Sequence, residues 1–151
     1  MTEEESNRLK EFMEHRIPFN AFLGMKVTLM GDGEAEMMIP VRPELTGDPF
    51  RPALHGGVLS TIADTVGGLA VFTQIGNTRI ASTVDLRIDY LRPGQVDQPI
   101  VARARVIRIG NRVAATQTVV YQKDIDKPIA TANAVYNVVT RDQTPQSPLK
   151  A

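Results

Sequence analysis

Cysteine is absent from the 151-residue chain. That absence excludes a disulfide framework, a thiolate nucleophile and any cysteine-ligated metal. Net charge is absent as well, because 17 Lys and Arg offset 17 Asp and Glu. No global field therefore favours nucleic acid or an anionic membrane, although a local basic cluster can still hold a phosphate-bearing small molecule. Histidine is scarce, with only His15 and His55. Long apolar runs are scarce too. The N-terminal MTEEESNRLKEFMEHR lacks the apolar centre of a signal peptide, and the most apolar stretch, Gly57 to Phe72, is short for a bilayer span and contains Asp64. These absences predict a soluble, cytoplasmic protein.

What remains is 42% hydrophobic and 23% charged, the balance of an ordinary globular chain. The length fits one domain with a continuous core, assigned to residues 1–143, of which 1–23 form an N-terminal helix and connector. The polar TPQSPLKA over 144–151 reads as a disordered tail.

Thr2 to Arg16 spaces Leu9, Phe12 and Met13 as a narrow apolar stripe behind the acidic run Glu3 to Glu5, which predicts one amphipathic surface helix. Ile17 to Gly24, broken by Pro18, reads as a packed connector. Met25 to Met30 and Glu34 to Pro40 read as short strands around the turn Gly31-Asp32-Gly33. Leu45 to Ala53, with Gly47, Pro49 and Pro52, reads as a loop. Gly57 to Gly76 then spaces Val58, Ile62, Val66, Leu69 and Ala70 as a helix, with Gly67-Gly68 as a weak point or a site of close packing.

From Ile80 the period becomes two, with Val84, Leu86, Ile88 and Tyr90 on one face and Thr83, Asp85, Arg87 and Asp89 on the other. Further strands follow over Ile100 to Ile109, Arg112 to Gln122 and Pro128 to Val139, the first two joined through Gly110-Asn111. The expected class is α+β, an antiparallel sheet wrapped around one apolar central helix, because nothing else in the chain can bury that helix.

Gly57, Ser60, Thr61, Asp64, Thr65 and Gly68 share one side of that helix. Asp64 is the only formally charged residue between Arg51 and Arg79, so no local partner neutralises it. It is either a structural carboxylate held by neighbouring hydroxyls or a general base or nucleophile in a cleft. His55-Gly56-Gly57 opens the same helix, where N–H groups without internal acceptors suit an oxyanion or a polarised carbonyl oxygen. Nine residues separate His55 from Asp64, roughly 13 Å of helical rise, too far for one chain to bring both to the same reacting atom. If both act on one substrate, two antiparallel copies must supply them.

RPALHGGVLSTIADTVGG, followed by STVDLRIDYLRP, resembles the hotdog-fold acyl-CoA thioesterases of the phenylacetic-acid-degradation (PaaI-like, 4HBT) group over about Gly24 to Val139. The resemblance implies a hotdog fold, assembly as a homodimer or homotetramer, and an acyl-CoA substrate, with coenzyme A entering as part of that substrate and neither metal nor other cofactor. It implies that the Gly56 N–H polarises the thioester carbonyl, that His55 orients the loop, and that Asp64 of the neighbouring subunit activates water or attacks. Thr83, before Val84-Asp85, matches a hydroxyl that lies near the acid in similar enzymes. Gly57 is a candidate substrate contact, and Arg92, Asn111 and Arg112 are candidates for the coenzyme A phosphates. The chain departs from the pattern at Pro49, where many members carry an asparagine.

Two other readings remain open. One keeps the fold and changes the reaction to dehydration or hydration of a 3-hydroxyacyl or enoyl thioester. The other is a non-catalytic acyl-CoA-binding or regulatory module, for which no helix-turn-helix is visible.

Overall fold

The computed structural model describes residues 1–140; the tail expected over 144–151 and the last residues of the 1–143 domain lie outside the described residues. Three helices, α1 (Glu3–Glu11), α2 (Pro18–Leu23) and α3 (Gly56–Ile75), accompany eight strands. These are β1 (Lys26–Gly31), β2 (Glu34–Ile39), β3 (Thr46–Asp48), β4 (Ala53–Leu54), β5 (Arg79–Tyr90), β6 (Ile100–Ile109), β7 (Val113–Tyr121) and β8 (Ala130–Thr140). Six of them form an antiparallel sheet in the order β1-β2-β6-β7-β8-β5, and β3 pairs with β4 apart from it. The sheet wraps α3, as the apolar character of that helix requires.

Its inner face is built from small side chains where α3 passes closest. Ala102 and Ala104 on β6, Ala114, Thr116 and Thr118 on β7, and Ala130, Ala132 and Ala134 on β8 are all buried. They leave room for Leu59, Ile62, Val66 and Leu69 of the helix, each buried against the sheet. Burying such side chains contributes about 1.5–3 kcal/mol apiece. α3 has the length and hydropathy of a membrane span, and half of its most apolar window is buried inside this sheet.

Gly67 and Gly68 divide here. A Cβ on Gly67 would stand 2.3 Å from the Tyr136 hydroxyl oxygen and 2.9 Å from Thr116 Oγ1, so glycine is what lets the helix settle on β7 and β8. A Cβ on Gly68 would meet Tyr136 Cε1 at 3.6 Å, an ordinary contact.

Four expectations change. The single helix over Thr2 to Arg16 is α1 followed by a π-helical turn, Phe12–Arg16. Thr2 and Glu5 form a capping box at its start. The wider turn turns Glu14 inward, where its carboxylate accepts the Val27 N–H at 2.8 Å and pairs with Lys26 Nζ at 3.0 Å. Ile17 to Gly24, expected as a connector, contains α2, because a proline in the first helical turn has no N–H to waste and a preset φ. The loop over Leu45 to Ala53 contains the β3–β4 hairpin, with Asp48 accepting the Phe50 and Arg51 N–H groups at 2.9 and 3.1 Å.

The fourth change concerns β5. A bulge sets Thr83 opposite Tyr136 and Asp85 opposite Val135, leaving Val84 unpaired and 63% exposed. Directly opposed residues share a face. The inward set is therefore Ala81, Thr83, Leu86, Ile88 and Tyr90, opposite the buried Val138, Tyr136, Ala134, Ala132 and Ala130. Thr83, expected to face away with Asp85, faces the helix.

Candidate active site

His55 joins the hairpin to α3. Its N–H donates to the Leu45 carbonyl at 2.8 Å, and the preceding Leu54 N–H donates to Gly94 O at 3.0 Å, so the segment is pinned on two sides. His55 is the N-cap, and its Nδ1 accepts the Gly57 N–H at 2.9 Å. That bond places the proton of the neutral imidazole on Nε2. The Val58 N–H donates to His55 O at 3.0 Å. Of the first three N–H groups of α3, only that of Gly56 lacks an acceptor among the described residues. It stands at the positive end of a 20-residue helix, where an anionic or polarised oxygen is favoured.

Tyr90, the last residue of β5, holds Gly56 from behind. Its hydroxyl shares a 2.7 Å hydrogen bond with Ser60 Oγ, and the two oxygens lie 3.2 and 3.3 Å from Gly56 O, which accepts from whichever hydroxyl does not donate to the other. The ring fits because residue 56 has no side chain, since a Cβ there would lie 3.2 Å from Tyr90 Cε1. Alternation places Tyr90 on the inner face and helical spacing places Ser60 beside Asp64. That the two meet depends on how β5 lies along α3, which neither period contains.

Asp64 lies two turns further along α3 and is half-buried. Thr83 Oγ1 donates to its Oδ1 at 2.7 Å, and the bulge at Val84 is what brings that hydroxyl to the helix side. Oδ2 accepts no hydrogen bond from the described residues, and no cation pairs with the carboxylate there. The buried Tyr136 hydroxyl donates to the Asp64 carbonyl at 2.8 Å. Burial, reinforced by the Asp64 charge, pushes the Tyr136 phenol well above its ordinary range, so it stays a donor. The carboxylate is thus fixed through one oxygen and open at the other.

The expected site residues do not all converge. Eight residues of helix put Gly56 and Asp64 about 12 Å apart. The Gly57 N–H is engaged by His55, which leaves Gly56 as the free donor of the glycine pair. Arg92 follows β5 at the Gly56 end, while Asn111 and Arg112 sit at the β6–β7 turn beside Arg79, at the start of the same strand. The 12 residues of β5 separate them by roughly 36 Å, so one chain cannot close all three on one phosphate group. Among the described residues, no three of the His, Asp and Glu side chains cluster closely enough to hold a metal ion.

The family model of the thioesterase superfamily matches residues 52–129, which run from the turn before His55 through β7. The chain belongs to the thioesterase superfamily. Within this superfamily of thioester hydrolases it is similar to the medium/long-chain acyl-CoA thioesterase YigI of Escherichia coli (strain K12), at 30% identity over 85% of this chain and 90% of that one. A relative from Halobacterium salinarum is 38% identical over 64% of this chain and 65% of its own length. A mutant of the phenylacetic acid degradation protein PaaI from Thermus thermophilus matches with a TM-score of 0.70 at 29% identity, covering 80% of this chain and 97% of that one. These matches agree with the hotdog architecture, in which the six-stranded sheet is wrapped around α3.

Proposed function

We propose that the protein is an acyl-CoA thioesterase whose active site forms between two antiparallel copies. The observation that carries this reading is the pair of unfilled valences on α3, the Gly56 N–H and Asp64 Oδ2, on one helix and about 12 Å apart. In two antiparallel α3 helices, the Gly56 of each copy lies against the Asp64 of the other. The edge strand β5 supports the pairing, because its outer side carries no partner among the described residues and Ile80, Val84 and Tyr90 are exposed along it. The same antiparallel pairing brings Arg92 of one copy to the Asn111–Arg112 turn of the other, where the three can share the phosphates of one coenzyme A. The named relatives supply the substrate class.

In this mechanism the thioester carbonyl oxygen accepts from the Gly56 N–H as negative charge develops on it. Asp64 of the second copy, held by Thr83, takes a proton from water through its free oxygen, and the water oxygen bonds to the carbonyl carbon. The C–S bond then breaks, the thiolate of coenzyme A leaves and takes up the proton, and the acid is released. His55 acts by holding the Gly57 N–H and so aiming the one before it. The reaction needs no group beyond these residues and water.

A screen of butanoyl-, octanoyl-, hexadecanoyl- and phenylacetyl-CoA, read by free thiol, tests the reading with Asp64→Asn as control. Thiol release that falls about 10²–10⁴-fold in the variant is expected. Undiminished turnover in Asp64→Asn refutes the mechanism. Conversion between 3-hydroxyacyl and enoyl thioesters without thiol release assigns a dehydratase instead.

A further inference from the structure

A half-open cavity of about 470 Å³ lies at the far end of α3 from Gly56, lined by α1, the last turn of α3 and the start of β5. Leu9 and Phe12 roof it, Phe72 and Ile80 form its floor, and Arg8 and Arg79 stand among its lining residues. The roof is anchored, because the chain directly after α1 is tied down by the buried Glu14 to Val27 and Lys26. Apolar walls with a few polar groups, at this volume, are the character of a small-molecule site. No hydrogen bond or ion pair among the described residues spans it to explain it as a structural contact.

Its position links it to the chemistry. Asp64, Gly68 and Phe72 stand four apart on one row of α3, all partly exposed, with Thr83 bonded to Asp64 at one end and Ile80 lining the cavity with Phe72 at the other. Gly68 leaves the row unobstructed, and its own chain does not demand a glycine there. A helix-interior glycine costs about 1 kcal/mol relative to alanine, and no contact within the chain offsets that cost here. From Asp64 to Phe72 the helix rises about 12 Å. An extended chain advances roughly 1.2 Å per bond, so about ten carbons from the carbonyl reach the cavity.

We propose that this cavity receives the distal end of the substrate's acyl chain, and that Leu9, Phe12, Phe72 and Ile80 set the enzyme's preference for chains of about ten carbons or more. The assignment rests on the acyl-CoA reading above. Short acyl groups end beside Gly68 and gain nothing from the cavity. Longer ones bury methylenes against its walls, at about four-fold in affinity for each.

The test compares wild type with Leu9→Trp and Phe12→Trp, which fill the cavity from its roof, away from both the catalytic groups and the β5 edge. Hydrolysis of butanoyl- and tetradecanoyl-CoA is measured beside binding of the unreactive thioethers butyl- and tetradecyl-CoA, and oligomeric mass is followed by sedimentation. Denying burial to three methylenes weakens tetradecyl-CoA binding and kcat/KM for tetradecanoyl-CoA about 60-fold, with butyl-CoA and butanoyl-CoA changed less than about two-fold. A protein that binds the thioethers with this length dependence but hydrolyses neither thioester keeps the cavity assignment and loses the catalytic one. Equal effects on short and long ligands, or none on either, overturn the cavity assignment. A changed oligomeric mass with an unchanged length profile makes the cavity an interface between copies, and also overturns it.

Discussion

The flank of α3 against the sheet and the flank turned away from it differ in size, polarity and tolerance. Against the sheet stand Leu59, Ile62, Ala63, Val66, Leu69 and Ala70, all buried, with Gly67 pressed on Tyr136 and Thr116. Turned away stand Ser60, Thr61, Asp64, Thr65, Gly68 and Phe72, all partly exposed. The first flank is packed to the limit of its neighbours, so its residues answer to stability. The second holds the open carboxylate oxygen and the gap at Gly68, so its residues are free of the core and, in the proposed function, face a substrate and a second copy. In the proposed function one helix thus serves as core and as half of a cleft, and each job is confined to its own side.

Substitutions can break or sharpen that division. The largest expected effect is on the open flank: Asp64→Ala lowers kcat/KM by about 10²–10⁴-fold. Its urea midpoint stays close to wild type, because the carboxylate makes a single side-chain hydrogen bond, to Thr83. A comparable loss of stability would show that Asp64 is a structural carboxylate after all. Next, Ile62→Ala on the packed flank costs about 2–5 kcal/mol of unfolding free energy, read by urea denaturation, with kcat little changed in the fraction that folds.

Gly67→Ala and Gly68→Ala provide the sharpest contrast, since they add the same methyl group one residue apart. The first forces Tyr136 aside and costs about 1–3 kcal/mol, offset by up to about 1 kcal/mol of helix propensity. It also loosens the hydrogen bond from Tyr136 to the Asp64 carbonyl. The second meets only ordinary contacts and raises stability by up to about 1 kcal/mol in urea titrations. Equal effects at both positions would erase the distinction between the flanks.

A further effect lies away from α3, at Glu14. Burial alone would raise this carboxyl, but the Val27 N–H and the Lys26 and Lys10 ammonium groups outweigh it and hold it below its ordinary value of 4.5. Its contribution is therefore fully present above pH 4.5 and is lost as pH falls through the lower folded value. Glu14→Gln should flatten the acid limb of the stability curve, measured by thermal melts from pH 3 to pH 6, and leave the neutral plateau lower by about 1–3 kcal/mol.

The reach of sequence reading differed between these regions for physical reasons. Val58, Ile62, Val66 and Leu69 announce α3 because helical period is local, and the strand from Ile100 to Ile109 matches β6 for the same reason. Asp64 was visible as a lone charge in an uncharged stretch, and the Gly56 donor as a glycine at a helix start. Thr83 was matched to the acid by family resemblance while its alternation placed it on the wrong face. The bulge at Val84 reconciles the two, and a bulge is a property of pairing with β8 rather than of β5 itself. Glu14 was read as part of a continuous surface helix, because the N–H that draws it inward belongs to Val27, 13 residues on.

Sequence pattern alone specifies one apolar helix, the strands around it, a glycine at that helix's start and a lone acid eight residues on, too far along the helix to meet within one chain. Packing between distant segments sets which N–H at the helix start stays free, which face Thr83 takes, that Tyr90 and Ser60 meet at the Gly56 carbonyl, and that α1 roofs a cavity in line with Asp64. Local periodicity follows from the geometry of one segment. Hydrogen-bond partners and strand register follow from the packing of segments far apart in the chain, and no pattern within a single segment contains them.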